Sequence, residues 1–350
     1  MSEIKFSDFQ VIPILDSVKK LDMSDEMYFS NKFAQYISNS RLKNINPNEG
    51  GSPQLYKNPP RLQTTSLAIG SAVHECLLQP EEFELAPKMN KPTAKLGAVV
   101  DEVFKLRKKG YGIYNAIHTA CEKIGYYVNS IDKKIPSIIE KGFKYYWKRH
   151  KFESTKDTIF LSDSDYDVVK SCLDSCNANK QITSKLHPVD NLFGDPIDSY
   201  NEDALFIDFL VTYKKKHCVT LKFKMKADNW TIDHDAKVIT LNDLKTTGKP
   251  VGWFMAPEYG SMVKYHYNRQ MAAYSSILWY YCQQQFGVCK NTGWKMKCNM
   301  LVVETLPPYN SRCYFVSQTQ LKQGMEEFNQ LLKRVAYHEM FGYEDEIKFV

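Results

Sequence analysis

The sequence has no apolar run that approaches the roughly 20 residues needed to span a bilayer. Its first residues, MSEIKFSDFQ, also lack the basic and apolar regions of a signal peptide. These two absences predict a protein that stays in the cytoplasm and has no membrane partner. A phosphate-binding loop of the form G-x-x-x-x-G-K-[ST] is absent as well, so any motor activity would have to come from another chain.

The nine cysteines do not form a recognisable metal-binding pattern. There is no C-x-x-C pair and no cysteine–histidine cluster, which argues against a structural zinc site. Cys172 and Cys176 lie one helical turn apart, but neither they nor the cysteines after residue 280 have the spacing of an iron–sulfur cluster. We therefore expect free thiols, as is usual in the cytoplasm.

Positive charge is in small excess, with a formal net charge of +6. Such an excess alone favours a nucleic-acid partner only weakly. Its distribution is more informative, because Lys222, Lys224 and Lys226 alternate along LKFKMKAD and so share one face of a predicted strand. That face is either a solvated sheet surface or a track for a phosphate backbone.

The segment KVITLNDLKTT predicts a strand in which Asp243 and Lys245 point to one face and Leu244 to the opposite, apolar one. Asp228 lies at the end of the preceding predicted strand. Charges of both signs also occur on exposed strand edges, where they block pairing. The alternative is a metal site, in which the carboxylates hold a cation and the lysine reaches water or phosphate.

Two predicted helices carry further polar candidates. SLAIGSAVHECLLQPEEF places His74 on a helix, and KYHYNRQMAAYSSILWYYCQQQ places Gln270 and Tyr274 one turn apart on one helical face. Each has a structural alternative: a core histidine bonded to the backbone, or ordinary packing of a helix face.

Periodicity predicts the order of the remaining elements. ALFIDFLVTY and CVTLKFKMKADNW form a hairpin across the turn Lys214–Lys216, and KVITLNDLKTT, the Gln270 helix and the strand KCNMLVVET follow. Asp233, His234 and Asp235 are interpreted as a turn. The polar N-terminal segment is interpreted as a loop. The order indicates an α/β or α+β fold.

Taken in chain order, G-x-x-x-H at Gly70 and His74, Asp228, D-x-K and Q-x-x-x-Y resemble the motifs of the PD-(D/E)XK nuclease superfamily, specifically its RecB-like and RecE-like (exonuclease VIII-like) members. SNSRL followed by SPQLY, and GSAVHECLLQPEEF, resemble further segments of that family. The resemblance extends, with gaps, over residues 36–285. Ala227 stands where the family usually has proline, and the chain between His74 and Asp228 is longer than in compact relatives.

The resemblance implies an α/β fold with a restriction-endonuclease-like core of helix, three-stranded meander, helix and strand, plus helical elaborations. It implies an N-terminal segment, 1–60, packed on or near the active site, and a nuclease domain, 61–350, with a helical insertion at about 88–155.

The implied activity is an Mg²⁺-dependent DNA exonuclease, with Mn²⁺ as a substitute, that digests double-stranded ends 5′ to 3′ in phage or prophage recombination. A ring-shaped homo-oligomer and a single-strand annealing protein are the implied partners. The alternatives are an endonuclease, a nuclease subunit of a repair or defence complex, and a non-catalytic DNA-binding scaffold.

The resemblance also assigns roles to residues. The implied catalytic residues are Asp228, Asp243, Lys245, His74, Gln270 and Tyr274. The implied metal ligands are Asp228, Asp243, the Leu244 carbonyl, His74 and Glu202, the last placed just before the first core strand. A metal beside Lys245 would lower its pKa, which suits a residue that orients or deprotonates water. For DNA binding we expect the lysines of LKFKMK, and Arg41 as a ligand of a terminal phosphate.

Overall fold

The structure is a computed structural model that describes residues 3–60, 64–87, 91–151, 157–190, 194–343 and 348–350. The strands are β1 (Glu3–Ile4), β2 (Phe9–Leu21), β3 (Phe83–Pro87), β4 (Asp157–Leu161), β5 (Asp198–Tyr213), β6 (His217–Asp233), β7 (Val238–Thr247), β8 (Lys295–Glu304), β9 (Ser311–Phe315) and β10 (Lys348–Phe349). The helices are α1 (Asp25–Tyr28), α2 (Asn39–Lys43), α3 (Pro53–Lys57), α4 (Thr65–Leu78), α5 (Ala94–Lys108), α6 (Ile113–Ile124), α7 (Ile131–Lys151), α8 (Asp163–Ala178), α9 (Lys180–Leu186), α10 (Ser261–Lys264), α11 (Tyr267–Phe286) and α12 (Gln318–Phe341).

The chain divides into two compact units: Met1–Leu78 with Ser171–Val350, and Gln79–Lys170. The first unit contains a six-stranded sheet in the order β2-β5-β6-β7-β8-β9. The pair β7–β8 is parallel and the other four pairs are antiparallel. The predicted hairpin, third strand, helix and fourth strand are β5, β6, β7, α11 and β8, which confirms the α/β core.

Helices α11 and α12 pack on one face of this sheet. The rings of Phe223 on β6 and Phe328 on α12 lie 5.2 Å apart, and those of Trp230 on β6 and Tyr281 on α11 lie 6.2 Å apart. Burial of these aromatic side chains and their aliphatic neighbours is the main stabilising contribution of the unit.

The N-terminal residues Phe9–Leu21 form β2, the edge strand of the sheet, and the prediction of a loop is wrong for them. The strand pairs with β5, and its register shifts between Ile14 and Lys19. Its partner comes from far along the chain, so the local sequence pattern is a poor guide to this strand.

The second unit is largely helical. Its core contains Val99 and Val103 from α5, Ile117 from α6, and Ile138 and Tyr146 from α7. Strands β3 and β4 form a parallel pair in the same unit. None of the helices in the described part of the chain combines the length and apolar character needed to cross a membrane.

Candidate active site

Four asparagines lie side by side across the sheet. Asn201, Asn229, Asn242 and Asn299, on β5, β6, β7 and β8, are successive register partners. The Nδ2 atoms of Asn229, Asn242 and Asn299 donate to the Oδ1 atom of the preceding member at 2.7, 2.6 and 2.9 Å. A slip of one strand would leave buried amide groups without partners, so this asparagine ladder stabilises one register.

Three members of the ladder are sequence neighbours of a carboxylate. The pairs are Asn201–Glu202, Asp228–Asn229 and Asn242–Asp243. Because the asparagines lie level with one another, the register that they stabilise brings three acidic residues from three strands to the same level of the sheet.

The structure corrects the position of Glu202. It lies inside β5, not before the strand, and has a φ of 57° in the left-handed region. The regular pairing of β5 with β6 is interrupted there, between the pairs of Asn201 and Asp203. Backbone strain of this kind is maintained only where the surrounding structure imposes it.

Helix α4 brings His74 to the carboxylates. A Cβ atom at Gly70 would lie 3.3 Å from the Thr246 Oγ1 atom, so glycine allows the helix to approach β7 closely. The His74 Nδ1 atom lies 3.6 Å from an Asp228 carboxylate oxygen. Ligand atoms of His74, Glu202 and Asp228 all lie within 4.8 Å of one another. We call these three residues the catalytic group, after the role that we propose for them below. Oxygen donors with one imidazole suit Mg²⁺ or Mn²⁺.

The D-x-K side chains point the same way, as the strand period predicted. Asp243 is 2% exposed; its Oδ1 atom accepts from the Gln270 Nε2 atom at 2.7 Å, and its Oδ2 atom contacts the Lys245 ammonium. The Leu244 N–H donates to the Asp228 Oδ2 atom at 2.8 Å, and its carbonyl accepts from Lys245 at 3.2 Å. Gln270 therefore contacts Asp243 directly.

The three carboxylates of the site have raised pKa values. Burial raises the pKa of Glu202 to about 7, and the charge of Asp228 adds to this effect. Burial also raises the pKa of Asp243 to about 6, although Lys245 opposes the shift. The pKa of Asp228 is raised by burial too. Raised pKa values show that the negative charge is incompletely compensated by protein groups, which favours an added cation.

The pKa values of His74 and Lys245 shift in opposite directions. Burial lowers the pKa of His74 to about 4, and Lys245 acts in the same direction, so the imidazole is neutral at neutral pH and can coordinate a metal. Burial alone would lower the pKa of Lys245, but Asp243 and Asp228 raise it above its usual range. The protein's own groups thus act against the lowering that we predicted, which depends on the charge of an added metal.

The three lysines of β6 have different surroundings. Lys224 is buried and donates to the Tyr28 carbonyl at 2.6 Å. Lys226 forms ion pairs with Asp25 and Glu202. Lys222 is exposed. The ammonium groups of Lys224 and Lys226, two of the three lysines in the predicted phosphate track, are thus paired with other groups of the same chain.

Tyr274 and Arg41 line a common cavity of about 520 Å³. Its other polar lining residues include Ser38, Ser40, Lys57 and Lys226. The Arg41 Nη1 atom donates to the Ala34 carbonyl at 2.7 Å, while its Nε atom is buried without a hydrogen-bond partner among the described residues. This cavity combines cationic and hydroxyl groups with Tyr274 from the Gln270 helix.

Sequence reasoning missed Tyr267. Its ring centre lies 5.2 Å from the Lys245 Nζ atom, a cation–π contact. Tyr267 precedes Gln270 by one helical turn on α11, and this spacing is the signal that could have identified it. The partnership of Lys226 with Asp25 had no sequence signal.

The chain matches a protein-family model and is similar to a solved structure. Residues 54–340 match the model of a family described as a PDDEXK-like domain of unknown function (DUF3799). No curated protein matches the chain. A crystal structure described as a "putative exonuclease" from Eubacterium rectale is similar at 12% identity and a TM-score of 0.43, covering 90% of this chain and 85% of that one. The family match spans most of the chain and includes every residue of the catalytic group, so the chain belongs to this PDDEXK-like family of the PD-(D/E)XK nuclease superfamily.

Proposed function

We propose that the protein is a metal-dependent DNA exonuclease that hydrolyses double-stranded ends 5′ to 3′ in phage or prophage recombination. The observation that carries the proposal is the ion pair of the buried Asp243 with the half-buried Lys245, beside the catalytic group. Phosphodiester hydrolysis needs an activated water and stabilisation of charge on the phosphoryl oxygens. Carboxylates with raised pKa values beside an ammonium suit both requirements.

His74, Glu202 and Asp228 fit a divalent cation, since their donor atoms converge and their charge is incompletely compensated. We propose Mg²⁺, with Mn²⁺ as a substitute. Such an ion, when bound, supplies an acidic water and neutralises phosphoryl charge. Asp243 and the Leu244 carbonyl are proposed as further ligands. In the structure, Asp243 accepts a hydrogen bond from Gln270, and the Leu244 carbonyl accepts one from Lys245.

The other residues have separate roles in this proposal. Lys245 orients the attacking water and, through its ammonium group, stabilises charge on a phosphoryl oxygen. Gln270 keeps the Asp243 carboxylate in its orientation. Tyr274 contacts the DNA backbone, and Arg41 binds a terminal phosphate in the cavity that both line.

For the whole particle we propose a ring of identical subunits that surrounds duplex DNA and works with a single-strand annealing protein. Lys222 and the exposed turn Lys214–Lys216 would contact the duplex backbone without regard to sequence. Raising the salt concentration should therefore shorten the tract removed in one binding event. Light scattering that shows only monomer at micromolar concentration would contradict the ring.

The direct test compares an end-labelled linear duplex with a covalently closed circle of the same sequence. We expect Mg²⁺-dependent release of nucleotides from the 5′ ends, no attack on the circle and complete inhibition by EDTA. The matched control is Asp243→Asn, which keeps the size of the side chain. Efficient linearisation of the circle would favour an endonuclease, and undiminished cleavage by folded Asp243→Asn would remove this site from the reaction.

A further inference from the structure

An aromatic surface lies on the segment between β7 and α11. Trp253, Tyr259 and Tyr265 are 52%, 56% and 44% exposed. We call these three residues the aromatic platform. A buried aromatic ring stabilises a protein, so several exposed rings in one short segment indicate a surface that contacts a partner.

The platform is held by a buried anchor. Phe254 is 2% exposed, and its ring stacks between those of Tyr267 and Tyr314 at 5.8 and 5.9 Å. The Val251 N–H donates to the Glu304 carboxylate at 2.7 Å. The exposed rings are therefore presented by an ordered segment whose adjoining residues are fixed in the core.

A glycine makes this compact turn possible. A Cβ atom at Gly260 would lie 2.5 Å from the Ala256 carbonyl oxygen, closer than any real contact of this kind. The Gly260 N–H donates to that same oxygen at 2.9 Å. The segment thus folds tightly on itself between Trp253 and Tyr265.

One member of the platform, Tyr265, adjoins the candidate active site through Tyr267. The Lys245 Nζ atom lies 5.2 Å from the Tyr267 ring centre, and the Tyr267 and Tyr265 ring centres are 5.7 Å apart. A second cation, the exposed Lys264, has its Nζ atom 5.2 Å from the Tyr265 ring centre. The ring of Tyr267 therefore lies between the half-buried Lys245 of the site and the exposed ring of Tyr265.

We propose that the aromatic platform stacks unpaired bases of a DNA strand that enters or leaves the site. This inference rests on the proposed function, because a nucleic-acid substrate is what would bring bases to this place. Every base has a π-face that can stack on tryptophan or tyrosine, whereas the bases inside a duplex are covered by their neighbours. Rings beside an exposed lysine combine base stacking with contact to the phosphate backbone, which is the chemistry of single-strand binding.

The test measures binding of two strands of equal length and equal phosphate charge: a short thymidine homopolymer and a wholly abasic strand. Fluorescence anisotropy in EDTA reports binding without cleavage. We expect the full chain to bind the thymidine strand about tenfold more tightly than the abasic strand. Trp253→Ala and Tyr265→Ala should each reduce this preference several-fold and leave binding of the abasic strand unchanged.

The matched control is Phe315→Ala, which removes another aromatic side chain, 56% exposed, from β9. It should keep the full preference, and melting curves should show that all three variants fold. The proposal is overturned if the wild type does not prefer the thymidine strand, or if the two platform variants keep the preference. Loss of the preference in Phe315→Ala to the same extent would also overturn it.

The outcome is independent of catalysis. Cleavage that depends on Asp243, without any preference for bases, would remove the platform and leave the nuclease proposal intact. A base preference that depends on Trp253, without any cleavage in Mg²⁺, would support the platform and contradict the nuclease.

Discussion

Two groups in the described part of the chain contain the same residue types but differ in the charge that surrounds them. Each combines one histidine and two carboxylates whose ligand atoms lie within 4.8 Å of one another. One is the catalytic group of His74, Glu202 and Asp228. The other, which we call the arginine group, consists of Glu49, His266 and Glu327.

The arginine group already contains a permanent cation. Arg269 is 1% exposed, and its Nη1 atom lies 2.6 Å from Glu49 and 2.8 Å from Glu327. The Asn46 amide donates to both carboxylates, and His266 lies 2.8 Å from Glu327. Burial tends to raise the pKa of Glu327, but His266 and Arg269 outweigh it and hold the pKa below its usual range. These carboxylates need no metal.

In the catalytic group, by contrast, the pKa values of Glu202 and Asp228 are raised. Residue types and spacing are therefore insufficient to identify a metal site. The deciding property is whether the protein itself supplies enough positive charge and hydrogen bonds to the carboxylates.

The largest expected effect is the loss of cleavage rate when Lys245, next to the catalytic group, is replaced. Lys245→Ala should lower the rate of DNA cleavage by about 10² to 10⁴, the range for a positioned acid–base or electrostatic group. Single-turnover assays on linear duplex, normalised to folded protein, provide the measurement. Lys322→Ala is the control; it removes an exposed lysine of α12 and should cleave with a rate constant near that of the wild type.

Removing the cation of the arginine group should instead affect stability. Arg269→Met removes the buried guanidinium that two half-buried carboxylates share, and the free energy of unfolding should fall by about 3–5 kcal/mol. Urea denaturation measures the change. A loss below about 1 kcal/mol would show that the arginine group is not a structural ion-pair network.

A smaller effect should depend on pH. The pKa of Glu202 is raised from 4.5 to about 7 in the folded protein, so the folded state binds more protons than the unfolded state between these values. Stability from this residue is therefore present at low pH and is lost as the pH rises through about 7. Without added metal, Glu202→Gln should be about 1–3 kcal/mol more stable than the wild type at about pH 8. The difference should vanish near pH 4; a constant difference across this range would contradict the assignment.

The smallest expected change in stability is for His74→Ala. The His74 side chain is 26% exposed and lies 3.6 Å from Asp228, so its loss should lower the free energy of unfolding by less than about 1 kcal/mol. Affinity for Mn²⁺ should fall by about tenfold or more. Calorimetry with and without Mn²⁺ measures both quantities. A stability loss of about 1–3 kcal/mol with normal activity per folded molecule would make His74 a structural residue.

The sequence was sufficient where one local period determines the geometry. The two-residue period of β7 places Asp243 and Lys245 on one face, and the helical period of α11 places Gln270 and Tyr274 on another. The helix with His74 and the order of strands followed from the same patterns. These parts of the site could be predicted because each depends on a single element.

The remaining parts depend on contacts between distant segments. The left-handed φ of Glu202 coincides with an interruption of the pairing between β5 and β6. Lys226 is paired with Asp25 from the N-terminal region. Arg269 meets Glu49 across 220 positions of sequence. No period in the sequence indicates such contacts, so neither the position of Glu202 nor the arginine group could be predicted.

Calorimetric titration with Mn²⁺ tests the central comparison most directly. The wild type and Glu327→Gln should bind the ion with similar affinity, because the arginine group already contains its cation. Asp228→Asn should lose at least tenfold in affinity, since it removes a charged ligand from the catalytic group. Unchanged binding by folded Asp228→Asn, together with lost binding by Glu327→Gln, would contradict the account.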